Sequence, residues 1–129
     1  MAFKLIYATE AKPGISIMLE NAPCVVKSQD ISKTGKHGHA KVRLEAIGII
    51  DGKKRVTVLP GHERFEVPLI EKKRAQVLSI LGDKASIMDL ESFETLDIMF
   101  DEELKDKIKE GIQVEYWKIE EQRIIKRIG

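Results

Sequence analysis

The sequence predicts an all-β protein that folds as two small barrels. Short runs rich in β-branched and apolar residues recur at close spacing along most of the chain, which is typical of small barrels. One segment alone has the composition of a helix. Pro68 interrupts the series of runs, and we therefore expect a first domain over residues 1–68 and a second over residues 69–129.

The first domain is expected to consist of strands joined by tight turns. Residues 40–50 show the clearest pattern, because the apolar Val42 and Leu44 alternate with charged residues, as in a half-buried strand. Asp-Gly at 51–52 favours the backbone of a hairpin turn. The predicted strands are residues 15–20, 23–29, 40–50 and 54–59, with a turn at 21–22 and a further short strand or an irregular link at 60–68.

The second domain is expected to be a five-stranded barrel with one short helix. Residues 101–111 have the features of that helix: Asp101 can cap its start, acidic residues fill the first turn, lysines follow, and Gly111 ends it. The predicted strands are residues 75–81, 85–90, 95–100, 112–120 and 123–128. A helix after the third strand is typical of an OB-fold.

The composition is that of an ordinary soluble globular protein. The chain has 129 residues, of which 43% are hydrophobic and 33% charged. No apolar run approaches the ~18 residues of a transmembrane helix, and no secretory signal is expected at the N-terminus. Cys24 is the single cysteine and cannot form an internal disulfide. We expect it to pack as a small apolar group in a protein of the reducing cytoplasm.

Charge is distributed unevenly between the two halves. Residues 1–69 hold 11 Lys/Arg and 7 Asp/Glu, whereas residues 70–129 hold 11 and 14. The positive charge is densest over residues 27–55, with 8 basic and 3 acidic residues. This asymmetry favours a polyanionic partner for the first domain, with nucleic acid the leading candidate. A solvated basic face without a partner is an equally good interpretation of charge alone.

The basic stretch "SKTGKHGHAK" at residues 32–41 does not fit three common kinds of site. A P-loop needs a glycine five residues before its second one and a hydroxyl residue after its lysine, but Asp30 and His37 occupy those positions. His37 and His39 are too few ligands for a closed zinc site. The stretch contains no carboxylate that could orient a catalytic base, so we expect neither a metal site nor an enzyme.

The spacing of the glycines instead suggests a lysine presented at the tip of a β-hairpin. Gly35 and Gly38 remove side chains on both sides of Lys36 and permit backbone with positive φ. An unshielded lysine of this kind could enter a deep pocket of a modifying enzyme or an RNA assembly, although glycine-flanked lysines also occur in idle turns. The predicted presenting loop comprises Ser32, Thr34, Gly35, His37, Gly38 and His39.

This ten-residue stretch resembles, position by position, the hypusine loop of the translation initiation factor 5A family, whose bacterial relative is elongation factor P. "PCVV" before the loop and "IGIIDGKK" after it extend the resemblance, which covers essentially the whole chain and is to the archaeal type. It implies an SH3-like first barrel and an OB-fold second domain. It also implies that Lys36 receives an aminobutyl group from spermidine through deoxyhypusine synthase, with hydroxylation in some lineages.

The family resemblance further implies a ribosome-binding factor rather than an enzyme. Such a factor is expected to have no bound cofactor and no membrane partner. Its modified lysine would reach the acceptor end of peptidyl-tRNA and relieve stalling at proline-rich sequences. Lys33, Lys41 and Arg43 are the candidates for contacts to RNA phosphates at the ribosome. A general RNA-binding module that uses the basic hairpin is the alternative function.

Overall fold

The computed structural model describes residues 4–33 and 40–129. The chain divides into two compact units, Met1–Leu69 and Ile70–Gly129. Nearly all regular structure in the described residues is β-strand, which confirms the all-β prediction.

The N-terminal unit combines a four-stranded sheet with a two-stranded one. Its strands are β1 (Lys4–Tyr7), β2 (Ser16–Leu19), β3 (Ala22–Lys33), β4 (Ala40–Gly48), β5 (Lys54–Pro60) and β6 (Arg64–Val67). Strands β2 to β5 are antiparallel neighbours in that order, and β1 pairs antiparallel with β6. The segment 60–68, for which the sequence allows a short strand or an irregular link, therefore contains a strand. β1 was not among the strands predicted from the sequence, and a 3₁₀ turn at Ala8–Glu10 follows it.

Side chains from both sheets share one core in this unit, so that the two sheets form the walls of a small SH3-like barrel. Ile6 of β1 and Phe65 of β6 pack with Ile17, Val26 and Leu44 of the larger sheet. The last three are fully buried. The predicted alternation of residues 40–50 is confirmed, because the apolar positions of β4 are buried and the charged positions between them are partly or fully exposed.

The β2–β3 turn lies one residue earlier than predicted. Ala22 already pairs with Leu19, which leaves Glu20 and Asn21 as the two turn residues. Their φ angles of 53° and 63° are the left-handed values that a type I′ hairpin turn requires. Asparagine tolerates this region well, which explains why the sequence signal was close to the correct position.

The predicted Asp-Gly turn between β4 and β5 is confirmed and is held by an ion pair. Gly52 has φ of 68°. Asp51 accepts hydrogen bonds from two nitrogens of the Arg55 guanidinium at 3.1 and 2.7 Å and from the Lys53 backbone N–H at 2.9 Å. These bonds, that from Arg55 first, lower the pKa of Asp51 to about 2. The turn is thus fixed by charge as well as by backbone conformation.

The C-terminal unit is a closed five-stranded barrel, as an OB-fold predicts. Its strands are β7 (Glu71–Leu81), β8 (Lys84–Asp89), β9 (Thr95–Phe100), β10 (Gln113–Ile119) and β11 (Gln122–Ile128). The order around the barrel is β10-β11-β9-β8-β7, and β7 pairs with β10 to close it. β9 and β11 are parallel and all other neighbours antiparallel. The buried side chains of the interior are Ala75, Val77, Ala85, Ile87, Ile98, Leu104, Ile108, Val114, Tyr116 and Ile125.

The helix predicted over residues 101–111 forms only as a single 3₁₀ turn, Glu102–Leu104. Asp101 caps it as expected, since its side chain accepts a hydrogen bond from the Glu103 N–H at 3.1 Å. Leu104 and Ile108 are the buried residues of the segment. A short isolated helix is marginal in water, and two buried side chains give it little tertiary support.

Two further features of the described residues bear on function. Across residues 4–33 and 40–129, no helix is long and apolar enough to cross a membrane. Cys24 is fully buried, as expected, and burial raises the pKa of its thiol. The thiol is therefore a core group.

Candidate functional site

The hairpin formed by β3 and β4 is the candidate functional site. Its two strands are paired from Cys24–Gly48 to Lys33–Ala40, which is the last pair. The chain between those last partners is residues 34–39, which lie outside the described residues. Neighbouring antiparallel strands are about 5 Å apart, so both ends of this segment are anchored at one point. β3 reaches Lys33, past the predicted strand end.

The sequence-predicted site residues divide into two groups. Thr34, Gly35, Lys36, His37, Gly38 and His39 lie outside the described residues. Ser32 and Lys33 end β3, and Lys41 and Arg43 begin β4, all four with exposed side chains. The structure therefore defines the arms that carry the glycine-flanked lysine.

The paired strands continue beyond the hydrophobic core. Val42 and Leu44 are fully buried on what we call the inner face of the hairpin. Ile31 pairs with Val42 and so lies on that same face, yet it is 47% exposed. The Ile31 side chain thus lies beyond the buried core, while β3 and β4 stay paired as far as Lys33–Ala40.

Contacts from three sides hold the base of the hairpin. On one side, the Gln29 side-chain amide donates to the backbone carbonyls of Ala8 and Thr9 at 2.9 and 3.1 Å. On another, the Gly61 N–H donates to the Ala40 carbonyl at 2.8 Å. On the third, β4 pairs with β5 as far as Lys41. These contacts fix the direction in which the hairpin leaves the barrel.

Gly61 permits this close approach because it has no side chain. A Cβ built there would lie 2.9 Å from the Thr9 Cγ2 atom and 3.4 Å from the Ala40 carbonyl oxygen. The first distance is shorter than real Cβ contacts allow, so a larger residue would force the Thr9 side chain, or the segment that carries it, to shift.

The three cations predicted to contact RNA do not share a face. Lys41 pairs with Ser32 and Arg43 with Asp30, and these four side chains lie on the outer face of the hairpin. Lys33 pairs with Ala40 and lies on the inner face. The positive charge therefore surrounds the base of the 34–39 segment.

Glu45 interacts with one hydroxyl and two cationic side chains on the outer face of the hairpin. It accepts a hydrogen bond from the Ser28 hydroxyl at 2.7 Å and lies 3.0 Å from the Lys54 amino group and 3.6 Å from the Arg43 guanidinium. The bond from Ser28, followed by the bond and charge of Lys54, lowers the pKa of Glu45 to about 2. Arg43 thus shares the Glu45 carboxylate with Lys54. Lys41, by contrast, forms no ion pair with any described residue.

Sequence reasoning missed the residues that position the hairpin. Gln29, Ser28 and Lys54 appear in the sequence as ordinary strand residues, and Gly61 as part of the short strand or irregular link expected at 60–68. No local signal could have identified Gln29, since its partners are about 20 residues away. Lys54 could be matched to Glu45 only once the register of β4 and β5 was known.

The described part of the site offers cations and hydroxyls. No group of three His, Cys, Asp or Glu side chains within residues 4–33 and 40–129 is arranged to hold a metal ion. Exposed lysines around the end of a hairpin suit contact with an anionic partner.

Comparison with known proteins agrees with this geometry. Residues 5–63 match the family model for the N-terminal domain of translation initiation factor 5A-like proteins. Translation initiation factor 5A of Pyrococcus furiosus is 45% identical over 116 residues, covering 87% of this chain and 84% of that protein. The factor of Caldivirga maquilingensis is 45% identical over 122 residues and covers 92% of both chains.

Solved structures show the same fold over nearly the full length. The translation initiation factor 5A structure from Methanococcus jannaschii superimposes with a TM-score of 0.86 at 36% identity, covering 98% of this chain and 95% of that one. A family member from Naegleria fowleri gives a TM-score of 0.77 at 30% identity over 99% of each chain. The chain therefore belongs to the translation initiation factor 5A family.

Proposed function

We propose that this translation factor binds the ribosome and promotes peptide-bond formation at stalled, for example proline-rich, sequences. In this proposal Lys36 is modified by deoxyhypusine synthase and reaches the acceptor end of peptidyl-tRNA. The observation that carries the proposal is the β3–β4 hairpin, which stays paired beyond the core and ends at the two residues that bracket the Lys36 segment.

The anchoring of the hairpin supports an orienting role. Peptide-bond formation depends strongly on the relative position of its reactants, so a factor that holds one tRNA end in place accelerates it without acting as an enzyme. Such a factor needs a stiff arm. The bonds of Gln29 and Gly61 to neighbouring segments provide that stiffness at the base of the hairpin.

The proposed modification lengthens the lysine and doubles its charge. Transfer of a 4-aminobutyl group from spermidine forms a bond to Nζ of Lys36, and propane-1,3-diamine leaves with the proton that Nζ loses. The product keeps one protonated amine at the original position and adds another at the end of the new arm. Two cationic donors on a long stem can contact phosphate and the 2′-hydroxyls of a tRNA end.

The cations at the base of the hairpin suit contacts to the RNA backbone. Lys41 on the outer face and Lys33 on the inner face are exposed and lie next to the 34–39 segment. Arg43 is two residue pairs further from the tip than Lys41 and forms an ion pair with Glu45. We therefore expect Lys33 and Lys41 to contribute more to RNA affinity than Arg43.

Intact-mass analysis of protein from its native source tests the modification. We expect a mass about 71 Da above that of the unmodified chain, or about 16 Da more if hydroxylation follows, located on Lys36 by fragmentation. Protein made in a bacterial host without deoxyhypusine synthase is the unmodified reference. An unmodified Lys36 in native protein would remove the central claim.

Substitution of Lys36 by arginine separates the proposal from general RNA binding. Lys36→Arg keeps the charge but cannot accept the aminobutyl group, so we expect near-complete loss of stimulation of proline-rich peptide synthesis on purified archaeal ribosomes. Lys33→Arg is the matched control and should stay close to wild type. Full activity of Lys36→Arg would favour a general RNA-binding module on a basic hairpin.

A further inference from the structure

Phe93 in the β8–β9 loop has an unusual combination of exposure and backbone conformation. Its side chain is 70% exposed, and its φ is 62°, in the left-handed region that bulky residues rarely adopt. Burial does not stabilise the ring, and the backbone would be less strained with glycine or asparagine. Stability of the fold therefore does not explain phenylalanine at this position.

Hydrogen bonds to Asp89 hold the backbone of the loop that carries Phe93. The buried Asp89 carboxylate accepts hydrogen bonds through Oδ1 from the backbone N–H groups of Glu91 and Ser92 at 2.8 and 2.9 Å. Its other oxygen accepts a hydrogen bond from the hydroxyl of Tyr116 in the barrel interior. The Phe93 N–H donates to the Asp89 carbonyl at 2.9 Å. The backbone that carries the exposed ring is thus held by hydrogen bonds to a residue of the core.

The loop that carries the ring is acidic. Residues 90–94 contain two Glu and no Lys or Arg. Glu91 and Glu94 flank Phe93 and are exposed. Two basic residues on other strands interact electrostatically with the buried pair: Lys73 with Asp89, and Arg123 with Tyr116.

We propose that Phe93 is a preformed anchor for a basic protein surface that offers an apolar pocket. An aromatic side chain on a fixed backbone loses little entropy on binding, because few of its torsions remain free, and exposed residues of this kind are typical of interface hot spots. Glu91 and Glu94 would pair with cations around such a pocket and would repel a phosphate backbone. Given the proposed function, on which this inference rests, the partner is a basic protein component of the large ribosomal subunit.

The first experiment compares the binding of Phe93→Asn and wild-type protein to purified archaeal large ribosomal subunits. Asparagine tolerates left-handed backbone, so we expect the thermal midpoint to stay equal or rise while affinity falls about tenfold or more. Leu81→Asn is the matched control, because Leu81 is 85% exposed on the same barrel. β8 separates it from the Phe93 loop by roughly 20 Å, and its affinity should stay at the wild-type value.

A lower thermal midpoint with unchanged affinity would show that Phe93 is structural and would overturn the inference. Binding by wild type and equal binding by Phe93→Asn would overturn it and leave the proposed function intact. Absence of wild-type binding would instead refute the proposed function, and the inference with it.

A photo-crosslinking amino acid at position 93 identifies the class of partner. With the same purified subunits, we expect a crosslink to a basic ribosomal protein that disappears when excess unlabelled wild-type factor is added. A crosslink to ribosomal RNA, or to a second copy of this chain, would contradict the inference. So would the absence of any crosslink under conditions where the factor is bound.

Discussion

Replacing Tyr116 by phenylalanine should measurably destabilise the C-terminal barrel. Tyr116 is 2% exposed, and its hydroxyl donates to one oxygen of Asp89, which is itself 2% exposed. The two backbone donors of the loop both bond to the other oxygen. Phenylalanine keeps the ring in the core but leaves that carboxylate oxygen without this donor.

The expected loss in the free energy of unfolding is about 1.5–3 kcal/mol, the contribution of a hydrogen bond to a charged group. Trp117, the single tryptophan of the chain, lies next to Tyr116 in β10, so its fluorescence reports unfolding of this barrel during denaturant titration of the full chain. Tyr7→Phe is the control, because Tyr7 is 49% exposed in the other unit.

The destabilisation should also depend on pH. Burial alone would raise the pKa of Asp89, but the bonds from Tyr116, Ser92 and Glu91 outweigh it, and the pKa lies below its ordinary value. A depressed pKa stabilises the fold above the unfolded value of about 4, and this stabilisation is lost as pH falls through the folded value. The difference in the free energy of unfolding between wild type and Tyr116→Phe should therefore become smaller below about pH 4. If Tyr116→Phe lowered the free energy of unfolding by less than about 0.5 kcal/mol at pH 7, the reasoning would be refuted.

Two further predictions concern the base of the hairpin. Gly61→Ala should destabilise the N-terminal unit by about 1–3 kcal/mol, since the new Cβ would lie 2.9 Å from Thr9 Cγ2. Thermal unfolding measures this loss of stability, and an unchanged thermal midpoint would contradict the prediction. Ser28→Ala should raise the pKa of Glu45 from about 2 towards its ordinary value, because the bond from Ser28 is the main cause of the shift. Side-chain NMR titration measures that pKa; Ser32→Ala is the control, and equal values in the two variants would exclude the Ser28 bond as the cause.

Local patterns were sufficient for most of the strands. The alternation in residues 40–50 predicted which side of β4 is buried, because side-chain direction in a strand has a period of two. The Asp-Gly pair predicted the β4–β5 turn for an equally local reason, its tolerance of positive φ. The helix predicted at 101–111 was shorter in the structure, since helix length depends on tertiary burial as well as on capping.

The arrangement of the candidate site could not be predicted in the same way. Which cations share a face depends on the register of β3 and β4, and a shift of one residue would place Lys33 and Lys41 on the same face. The bonds of Gln29 to the 3₁₀ turn and of Gly61 to Ala40 join segments far apart in sequence. Such contacts exist only once the barrel is formed.

The sequence by itself determined the all-β class, most strands and the glycine-flanked Lys36 within a family-specific loop, because these depend on residue types at short spacing. The tertiary structure decided how the hairpin is held, how its charges pair through Glu45, and that a strained Phe93 is exposed on a loop fixed by Asp89. Those features depend on strand register and on hydrogen bonds between distant residues, which no local pattern specifies.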